Sequence, residues 1–472
     1  MPYNFYKIKR KMTTFPKYLL LFLFLSFSII GLAQTTIPEY QRKNVSLDDS
    51  QNFERVYNLV IEDQEIKKIN DQQRAYLVSL PIKIALENIR PFLAFSASWE
   101  SVDSLDQTHI LFQHSTDEEN WSKWILLEKD AHIDSKTKLV SQLQFLDSDV
   151  TQVKFLLSLD KAFTKSVQNI ALHFYNPGES KPIVEKTVSN VEMDLCNCAM
   201  PSFANRDDWC PLGCPPNPNP TSTDVTHLIV HHSATSNGPA DWPAVVRSIW
   251  NQHVNVNGWS DIGYNWLIDP EGNLYEGRGK DVQGAHFCGT NARTAGVCVL
   301  GNFSVSLPSA PAISQLEKFL AWNSCVDDLD PLTTSMHASS GLDLHHISGH
   351  RDGCATECPG ATFYPLFDNI RQEVAAYINE NCSPTTAIDV IDAEQSSFQI
   401  LPNPNSGIFT IQHSFMAPVE VELFSLDGKK IAVPNSLISN AQRFDLQHLP
   451  SGLYFLQLQS NGQSTFQKLL IH

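Results

Sequence analysis

A proline-rich stretch near the middle of the chain most restricts how this sequence can fold. Residues 210–220 contain two cysteines and five prolines, in the order Cys-Pro-Leu-Gly-Cys-Pro-Pro-Asn-Pro-Asn-Pro. Proline fixes φ and lacks a backbone donor, which excludes a helix interior or a central strand here. The stretch must be turn or extended linker, so separate folded units are expected on either side. A length of 472 residues also predicts about two to four domains.

The first unit is predicted to be all-β. Residues 34–185 contain short alternating or apolar runs, such as Ile110–His114 and Val153–Leu157, separated by polar turns. This pattern is typical of a small β-sandwich. Its tryptophans at positions 99, 121 and 124 could stack on sugars, but a place in the core is the favoured interpretation.

The second unit, residues 225–382, alternates strands and helices and predicts an α/β domain with a mixed central sheet and flanking helices. The expected strands are Val225–Val230, Ile262–Ile268 and Gly296–Leu300. The expected helices are one capped by Asp241 and running to about Val254, one begun by a Ser314/Glu317 capping box, and one from about Tyr364 to Asn379.

The third unit, residues 383–472, has close-spaced turns and short strands. Asp427-Gly428 between two apolar runs is a hairpin signal, and we expect a second small β-sandwich. The predicted organisation is a signal peptide, an accessory β-sandwich, a Cys/Pro-rich linker, the α/β domain, and a linker followed by the last β-sandwich, at residues 1–33, 34–185, 186–224, 225–382 and 383–472.

The N-terminus is typical of an export signal, with five Lys or Arg residues before an apolar run from Tyr18 to Leu32. A membrane anchor is the less favoured alternative, because the run is shorter than the ~20 residues that a span needs. We expect no stable membrane span after the signal is removed. The formal charge of −17 argues against nucleic-acid binding, which depends on neutralising phosphates.

Ten cysteines in an exported chain favour disulfides. The cluster Cys196, Cys198, Cys210 and Cys214 is interpreted as a disulfide-stapled linker, with a second zinc site as the alternative. Cys354 is expected to pair with Cys288 or Cys325 rather than to bind metal. The sequence leaves the pairing open.

Two histidines and a cysteine predict a metal site. His231 ends one predicted strand, the segment 344–349 leads into His350 on another, and Cys358 follows after a short loop. Two imidazoles and a thiolate suit Zn²⁺, and three protein ligands leave one position open for water, as in catalytic sites. One bound Zn²⁺ would activate that water and polarise a carbonyl, so hydrolysis of an amide or ester is the expected reaction.

Further polar residues are candidates for roles around the metal. Tyr264 and Thr356 are expected to be catalytic, through hydroxyl groups that position water or stabilise an oxyanion. His286, Asn291 and Arg293 are candidates for substrate binding, and the alternative for them is a loop-stabilising role.

These motifs together resemble the peptidoglycan recognition proteins and related zinc amidases, over about residues 203–381. The matching motifs include Arg206–Trp209, Ile229–Thr235, Ile262–Ile268, Tyr275–Gly279, Gly284–His286, Gly301–Phe303, Gly349–Asp352 and Cys358–Gly360.

The resemblance implies N-acetylmuramoyl-L-alanine amidase activity on peptidoglycan or muropeptides. It also implies that His231, His350 and Cys358 are the zinc ligands, Tyr264 and Thr356 the catalytic positions, and His286 a groove residue. Family members that only bind peptidoglycan typically lack the ligand cysteine. A binding module without catalysis, and a zinc peptidase with similar site chemistry, are the alternatives.

The tail resembles the type A sorting domain of type IX secretion cargo, in the motifs 401–404, 425–429 and 451–454. That resemblance implies the type IX secretion machinery as a partner. It also implies a secreted or cell-surface location beyond the outer membrane.

Overall fold

The computed structural model describes three regions of the chain. The described residues are 37–47, 50–86, 90–101, 107–130, 133, 135, 137–181, 196, 198–382, 398–413, 419–426, 428–434, 436–437, 441–460 and 463–472. The predicted export signal at residues 1–33 lies outside them. Within the described part, no helix has the length and apolar character needed to cross a membrane.

The N-terminal region, called the β-domain below, forms two antiparallel sheets around one apolar core. One sheet has the order β10-β7-β13-β4-β3, with β1 also on β13 and β11 also on β7; the other has the order β2-β5-β12-β8-β9, with β6 also on β12. Trp99 is fully buried in the core, as predicted, but the core interpretation was wrong for Trp121 and Trp124, which are only partly buried. The strands are β1 Glu39–Asn44, β2 Phe53–Tyr57, β3 Leu59–Glu62, β4 Glu65–Lys68, β5 Ala75–Ser79, β6 Ile82–Lys83, β7 Leu93–Ser101, β8 Thr108–Ser115, β9 Ile125–Leu127, β10 Lys138–Val140, β11 Gln144–Leu146, β12 Gln152–Leu159 and β13 Ser166–Asn176.

The central region is an α/β domain, as predicted, built on a mixed six-stranded sheet of order β14-β17-β16-β18-β15-β21. The predicted linker at residues 186–224 was wrong in part, because Phe203–Ala204, which precedes the proline-rich stretch, pairs with Leu274–Glu276 as an edge strand of this sheet. The β16–β17 pair is antiparallel and the other pairs are parallel. Its strands are β14 Phe203–Ala204, β15 His227–His232, β16 Trp266–Ile268, β17 Leu274–Glu276, β18 Thr294–Val299 and β21 Ile347–Gly349, with a separate hairpin of β19 Thr334–His337 and β20 Leu342–His345. The helices are α1 Arg206–Trp209, α2 Trp242–Asn251, α3 Ala310–Val326 and α4 Phe367–Tyr377.

The helices cover both faces of this sheet. Side chains of α3 and α4 share a core with Leu228 and Val230 of β15. Side chains of α2 share another with Cys298 of β18. All six residues of β15 are buried, as expected for a parallel strand enclosed on both faces.

The predicted ends of the helices are confirmed only in part. Asp241 caps α2 by accepting the Ala244 N–H at 3.0 Å, and a π-helical turn continues the helix to Val256. The Ser314 start was wrong: α3 begins at Ala310, because the Ser309 hydroxyl accepts the Ala312 N–H at 3.3 Å.

The predicted strand from Ile262 to Ile268 is also shorter than expected. β16 begins at Trp266, so Tyr264 precedes the strand. The Tyr264 carbonyl accepts the Arg278 N–H at 3.0 Å. This is a loop contact and not a hydrogen bond between strands of the sheet.

The C-terminal region has a three-stranded sheet of order β22-β23-β27 and a five-stranded sheet containing β25-β24-β28-β29, with β26 on β24. The predicted hairpin is confirmed, since β24 pairs antiparallel with β25; Asp427 in its turn lies outside the described residues. The strands are β22 Phe398–Leu401, β23 Ile408–His413, β24 Val419–Ser425, β25 Lys430–Ile431, β26 Ser436–Leu437, β27 Ala441–Asp445, β28 Gly452–Ser460 and β29 Gln463–Ile471.

Eight of the ten cysteines form disulfides, so the disulfide interpretation of the Cys196–Cys214 cluster is confirmed. Cys196 and Cys198 attach the linker to α3 and to the end of the α/β domain. The pairs are Cys196–Cys325, Cys198–Cys382, Cys210–Cys214 and Cys288–Cys354. Cys298 and Cys358 are free and buried.

The β-domain packs directly against the α/β domain. Phe92, Leu143 and Tyr175 of the β-domain are buried in the same apolar cluster as Trp242 and Val245 of α2. Polar contacts join the same surfaces: Ser96 Oγ donates to Gln252 Oε1 at 2.7 Å, and Lys138 Nζ donates to the Val256 carbonyl at 2.7 Å. The two domains therefore share a buried interface.

Candidate metal and catalytic site

Two predicted ligands lie where neighbouring parallel strands end. β15 pairs with β21 in the register Val230↔Gly349. His231 follows Val230, and His350 follows Gly349. The carboxyl ends of parallel strands meet at the same edge of the sheet, which is the usual place for a site in this kind of fold. Both imidazoles are fully buried.

The loop after β21 brings Cys358 back to this edge. The Arg351 N–H donates to the Cys358 carbonyl at 3.0 Å, and the Gly349 N–H donates to Asp352 Oδ2 at 2.8 Å. Gly360 has φ +111°, and a Cβ there would lie 2.4 Å from the Phe303 backbone. Glycine is therefore required for the loop to return this closely.

The three candidate ligands are close enough to hold one ion. The ligand atoms of His231, His350 and Cys358 lie within 4.8 Å of one another, and Cys358 Sγ is 3.7 Å from His231 Nδ1. Two imidazoles and one sulfur fit the donor set that Zn²⁺ prefers. Two other His/Cys groups in the described part, Cys196/Cys198/Cys325 and Cys288/His350/Cys354, contain disulfide-bonded cysteines, which cannot supply thiolates.

His286 is buried against His231 on its Nε2 side, whereas Cys358 lies on the Nδ1 side. His286 does not line an open groove. Its Nδ1 lies 3.0 Å from His231 Nε2, which leaves His231 Nδ1 for the side where Cys358 lies. The His286 ring fits between Gly284 and Gly296, where any added Cβ would lie 2.5 Å or less from the ring. The side chain is 2% exposed.

The other two predicted substrate residues lie around the His286 loop. Asn291 Oδ1 accepts hydrogen bonds from the backbone N–H groups of His286 and Phe287, both at 2.7 Å. These contacts fit the alternative role proposed for Asn291, in which it stabilises the loop. The Arg293 side chain is exposed, and the backbone N–H of Arg293 donates to Thr223 Oγ1 at 2.7 Å. Neither residue lines the cleft described below.

Tyr264 lies beside the candidate ligands. Its ring centroid is 5.3 Å from that of His231, and the side chain is 3% exposed. Burial raises the pKa of Tyr264 well above the usual value of a phenol, and Coulombic interaction with Cys298 and Cys358 raises it further. The hydroxyl therefore stays protonated and can act as a hydrogen-bond donor.

Thr356 is hydrogen-bonded to the ligand loop. Its Oγ1 accepts the Cys358 N–H at 3.1 Å. A hydroxyl that accepts one bond still has its own hydrogen to donate. Thr356, Tyr264 and Cys358 all line a cleft of about 810 Å³, so both predicted catalytic residues lie on the same surface as one of the three candidate ligands.

The cleft also contains residues that no sequence motif indicated. The β-domain contributes five, namely Glu128, Lys129, Asp130, Gln142 and Leu143. His232, which lies within the matching motif Ile229–Thr235, also lines the cleft, and its backbone N–H donates to Cys358 Sγ at 3.4 Å. The position of His232 next to a predicted ligand was a usable signal, whereas the β-domain residues had none.

The central region of the chain matches a known protein family. Residues 221–361 match the family described as N-acetylmuramoyl-L-alanine amidase. Peptidoglycan-recognition protein SC1a of Drosophila melanogaster is 38% identical over 138 residues, which are 29% of this chain and 68% of that protein. This chain belongs to the peptidoglycan recognition protein family. Peptidoglycan recognition protein 1 of Bos indicus is 32% identical over 145 residues, 30% of this chain and 70% of that protein.

Within the family, relatives include named amidases. The N-acetylmuramoyl-L-alanine amidase of Homo sapiens is 32% identical over 143 residues, 29% of this chain and 23% of that protein. A solved structure of peptidoglycan recognition protein-LE in complex with tracheal cytotoxin is 26% identical, covers 35% of this chain and 92% of that chain, and has a TM-score of 0.29.

The tail is a second recognised unit. Residues 399–472 match the secretion system C-terminal sorting domain. This domain indicates export through type IX secretion, as the sequence motifs predicted.

Proposed function

We propose that this chain is a secreted, zinc-dependent N-acetylmuramoyl-L-alanine amidase. It cuts the amide between the lactyl group of muramic acid and the L-alanine of the peptidoglycan stem peptide. The observation that carries the proposal is the buried group of His231, His350 and Cys358, whose ligand atoms lie within 4.8 Å of one another. Of the three, Cys358 lines the cleft. Tyr264 and Thr356 line that cleft.

The three ligands would hold one Zn²⁺, which when bound supplies Lewis-acid chemistry to a water and to the substrate carbonyl. The 3.0 Å contact between His286 Nδ1 and His231 Nε2 supports a positioning role for His286. By occupying one ring nitrogen, such a contact fixes the orientation of the ligand imidazole. His286 is thereby assigned a role in orienting His231, in place of substrate contact.

The two hydroxyl groups are assigned to the oxygen that gains negative charge during amide cleavage. Tyr264 is protonated because it is buried, and Thr356 keeps a hydrogen to donate while accepting from the Cys358 N–H. Donors fixed before the reaction stabilise the developing oxyanion without reorganising. Both groups therefore act as donors in this proposal, and neither is a base.

The test uses the chain as it exists after export, because the β-domain and the α/β domain share a buried cluster that an isolated fragment would expose. Purified protein is incubated with peptidoglycan, with and without a chelator, and the products are analysed by mass. We expect release of intact stem peptides that stops on chelation and returns with added Zn²⁺.

Two cysteine variants provide a matched comparison, since Cys358 and Cys298 are both free and buried. Cys358→Ser should lose bound zinc and cleavage, while Cys298→Ala should keep one zinc per chain. Binding of peptidoglycan by the wild-type protein without cleavage would instead indicate a receptor. Cleavage within the peptide would indicate a peptidase.

A further inference from the structure

The cleft above the candidate metal ligands has walls from two domains. The α/β domain provides one, including Tyr264, Thr356 and Cys358. The β-domain provides the other, from the segment Glu128–Asp130 and from Gln142 and Leu143. A substrate that reaches Cys358 through this cleft must therefore pass the β-domain.

The β-domain wall is held in place before any ligand arrives. The Gln142 N–H donates to the Glu128 carbonyl at 2.7 Å, and the Asp130 N–H donates to the Val140 carbonyl at 2.9 Å. Leu143 is 7% exposed and belongs to the apolar cluster shared with α2. A preformed wall binds its ligand without the entropic cost of ordering a loop.

The charges of the cleft favour a cationic group. Its lining includes three carboxylates, from Glu128, Asp130 and Glu357, and one ammonium, from Lys129. Within the described part of the chain, the β-domain contributes no aromatic ring to this lining, although such rings would be expected if the wall stacked against sugars. Carboxylates form charge-assisted hydrogen bonds with amines, so the wall fits the peptide part of the substrate better than the glycan.

Asp130 lines the same cleft as Tyr264, Thr356 and Cys358. A group bound at Asp130 is thus held in the cleft that contains the predicted catalytic residues.

We propose that the segment Glu128–Asp130 of the β-domain forms a subsite that binds an amine-bearing residue of the stem peptide. The subsite rests on the proposed amidase function and adds a specificity that the α/β domain alone does not supply. Glu128 and Asp130 act here as substrate-binding residues.

The test compares two soluble substrates that differ in one charge: N-acetylmuramoyl-L-Ala-D-Glu-L-Lys and the same compound acetylated on the lysine side-chain amine. The full chain is assayed as wild type, as Glu128→Gln/Asp130→Asn, and as the control Glu119→Gln, an exposed acid of the same domain that does not line the cleft. Loss of a charge-assisted hydrogen bond should raise KM for the amine substrate about tenfold. KM for the acetylated substrate, kcat and the melting temperature should change little.

The outcomes separate the subsite from the amidase proposal. If the wild type cleaves neither substrate, the proposed function fails. If it cleaves both with equal KM and the double variant behaves like wild type, the function stands and the subsite is refuted. An equal loss of kcat on both substrates would also refute the subsite, because it would show that the two acids act on the catalytic centre.

Discussion

Arg247 offers the sharpest test of how the two domains are joined. Its guanidinium lies between them and is 3% exposed. It donates to the carbonyls of Pro177 at 2.7 Å, Trp209 at 2.5 Å and Gly178 at 2.8 Å, and to Ser180 Oγ at 2.8 Å. One side chain on α2 thus satisfies acceptors at the end of the β-domain and at the end of α1.

Replacing Arg247 with Met keeps much of the apolar stem but removes all four hydrogen bonds. Each buried acceptor left without its donor costs about 1–3 kcal/mol. Because such losses are not additive and Met recovers some packing, we expect a total near 4 kcal/mol, within the range for breaking a buried charged network. This corresponds to a fall in Tm of about 10 °C.

The measurement is thermal and urea unfolding of the full chain, with two companions. Arg247→Lys keeps the charge but cannot reproduce the planar fork, so its loss should be intermediate. Arg55→Met, at an exposed position of β2, should stay within about 0.5 kcal/mol of wild type. If the Arg247→Met protein had the same Tm and urea midpoint as the Arg55→Met control, these hydrogen bonds would not be what stabilises the interface.

Three further predictions concern the site and the pH response. Tyr264→Phe should lower kcat by about 10²–10³-fold with zinc retained, because one oxyanion donor is lost; an unchanged kcat would remove Tyr264 from the reaction. His286→Ala should weaken zinc binding about 10–100-fold in a chelator competition, and an unchanged affinity would contradict its positioning role. Burial lowers the pKa of His173 to about 3, so only the unfolded chain binds this proton as pH falls from about 6.5 toward 3. By pH 4 the loss of stability is about 3 kcal/mol. His173→Gln should flatten the dependence of Tm on pH in that window, and an acid slope equal to that of wild type would refute it.

Sequence patterns predicted the fold best where the signal was local. Asp241 identified the start of α2 because a cap needs only the next three residues. The same rule misplaced α3, since Ser309 and Ser314 both precede apolar residues and the structure uses the earlier one. Tyr264 belongs to an alternating pattern that is typical of a strand. Its backbone nevertheless bonds to the loop around Arg278, so Tyr264 is not part of the hydrogen-bonded strand β16.

The residues of the candidate site were also predicted well only where the sequence signal was local. His231, His350 and Cys358 could be proposed together because each ends a strand or closes a short loop, and the structure brings their ligand atoms within 4.8 Å. His286 was expected in a groove, but the space between Gly284 and Gly296 places its ring behind His231. No local pattern reveals such a void, because its walls come from separate segments.

The amino-acid sequence was enough to predict a donor set suited to zinc, hydroxyl groups near it, a mixed α/β sheet and disulfide-bonded cysteines. The pairing of the cysteines, the position of the β-domain on the α/β domain, and the place of Glu128 and Asp130 in the same cleft as Cys358 became known only from the folded structure. The two kinds of feature differ in the distance along the chain over which they act. Caps, turns and strand alternation act over a few residues, whereas an interface such as that joining Ser96 to Gln252 depends on two complementary surfaces that exist only after each domain has folded.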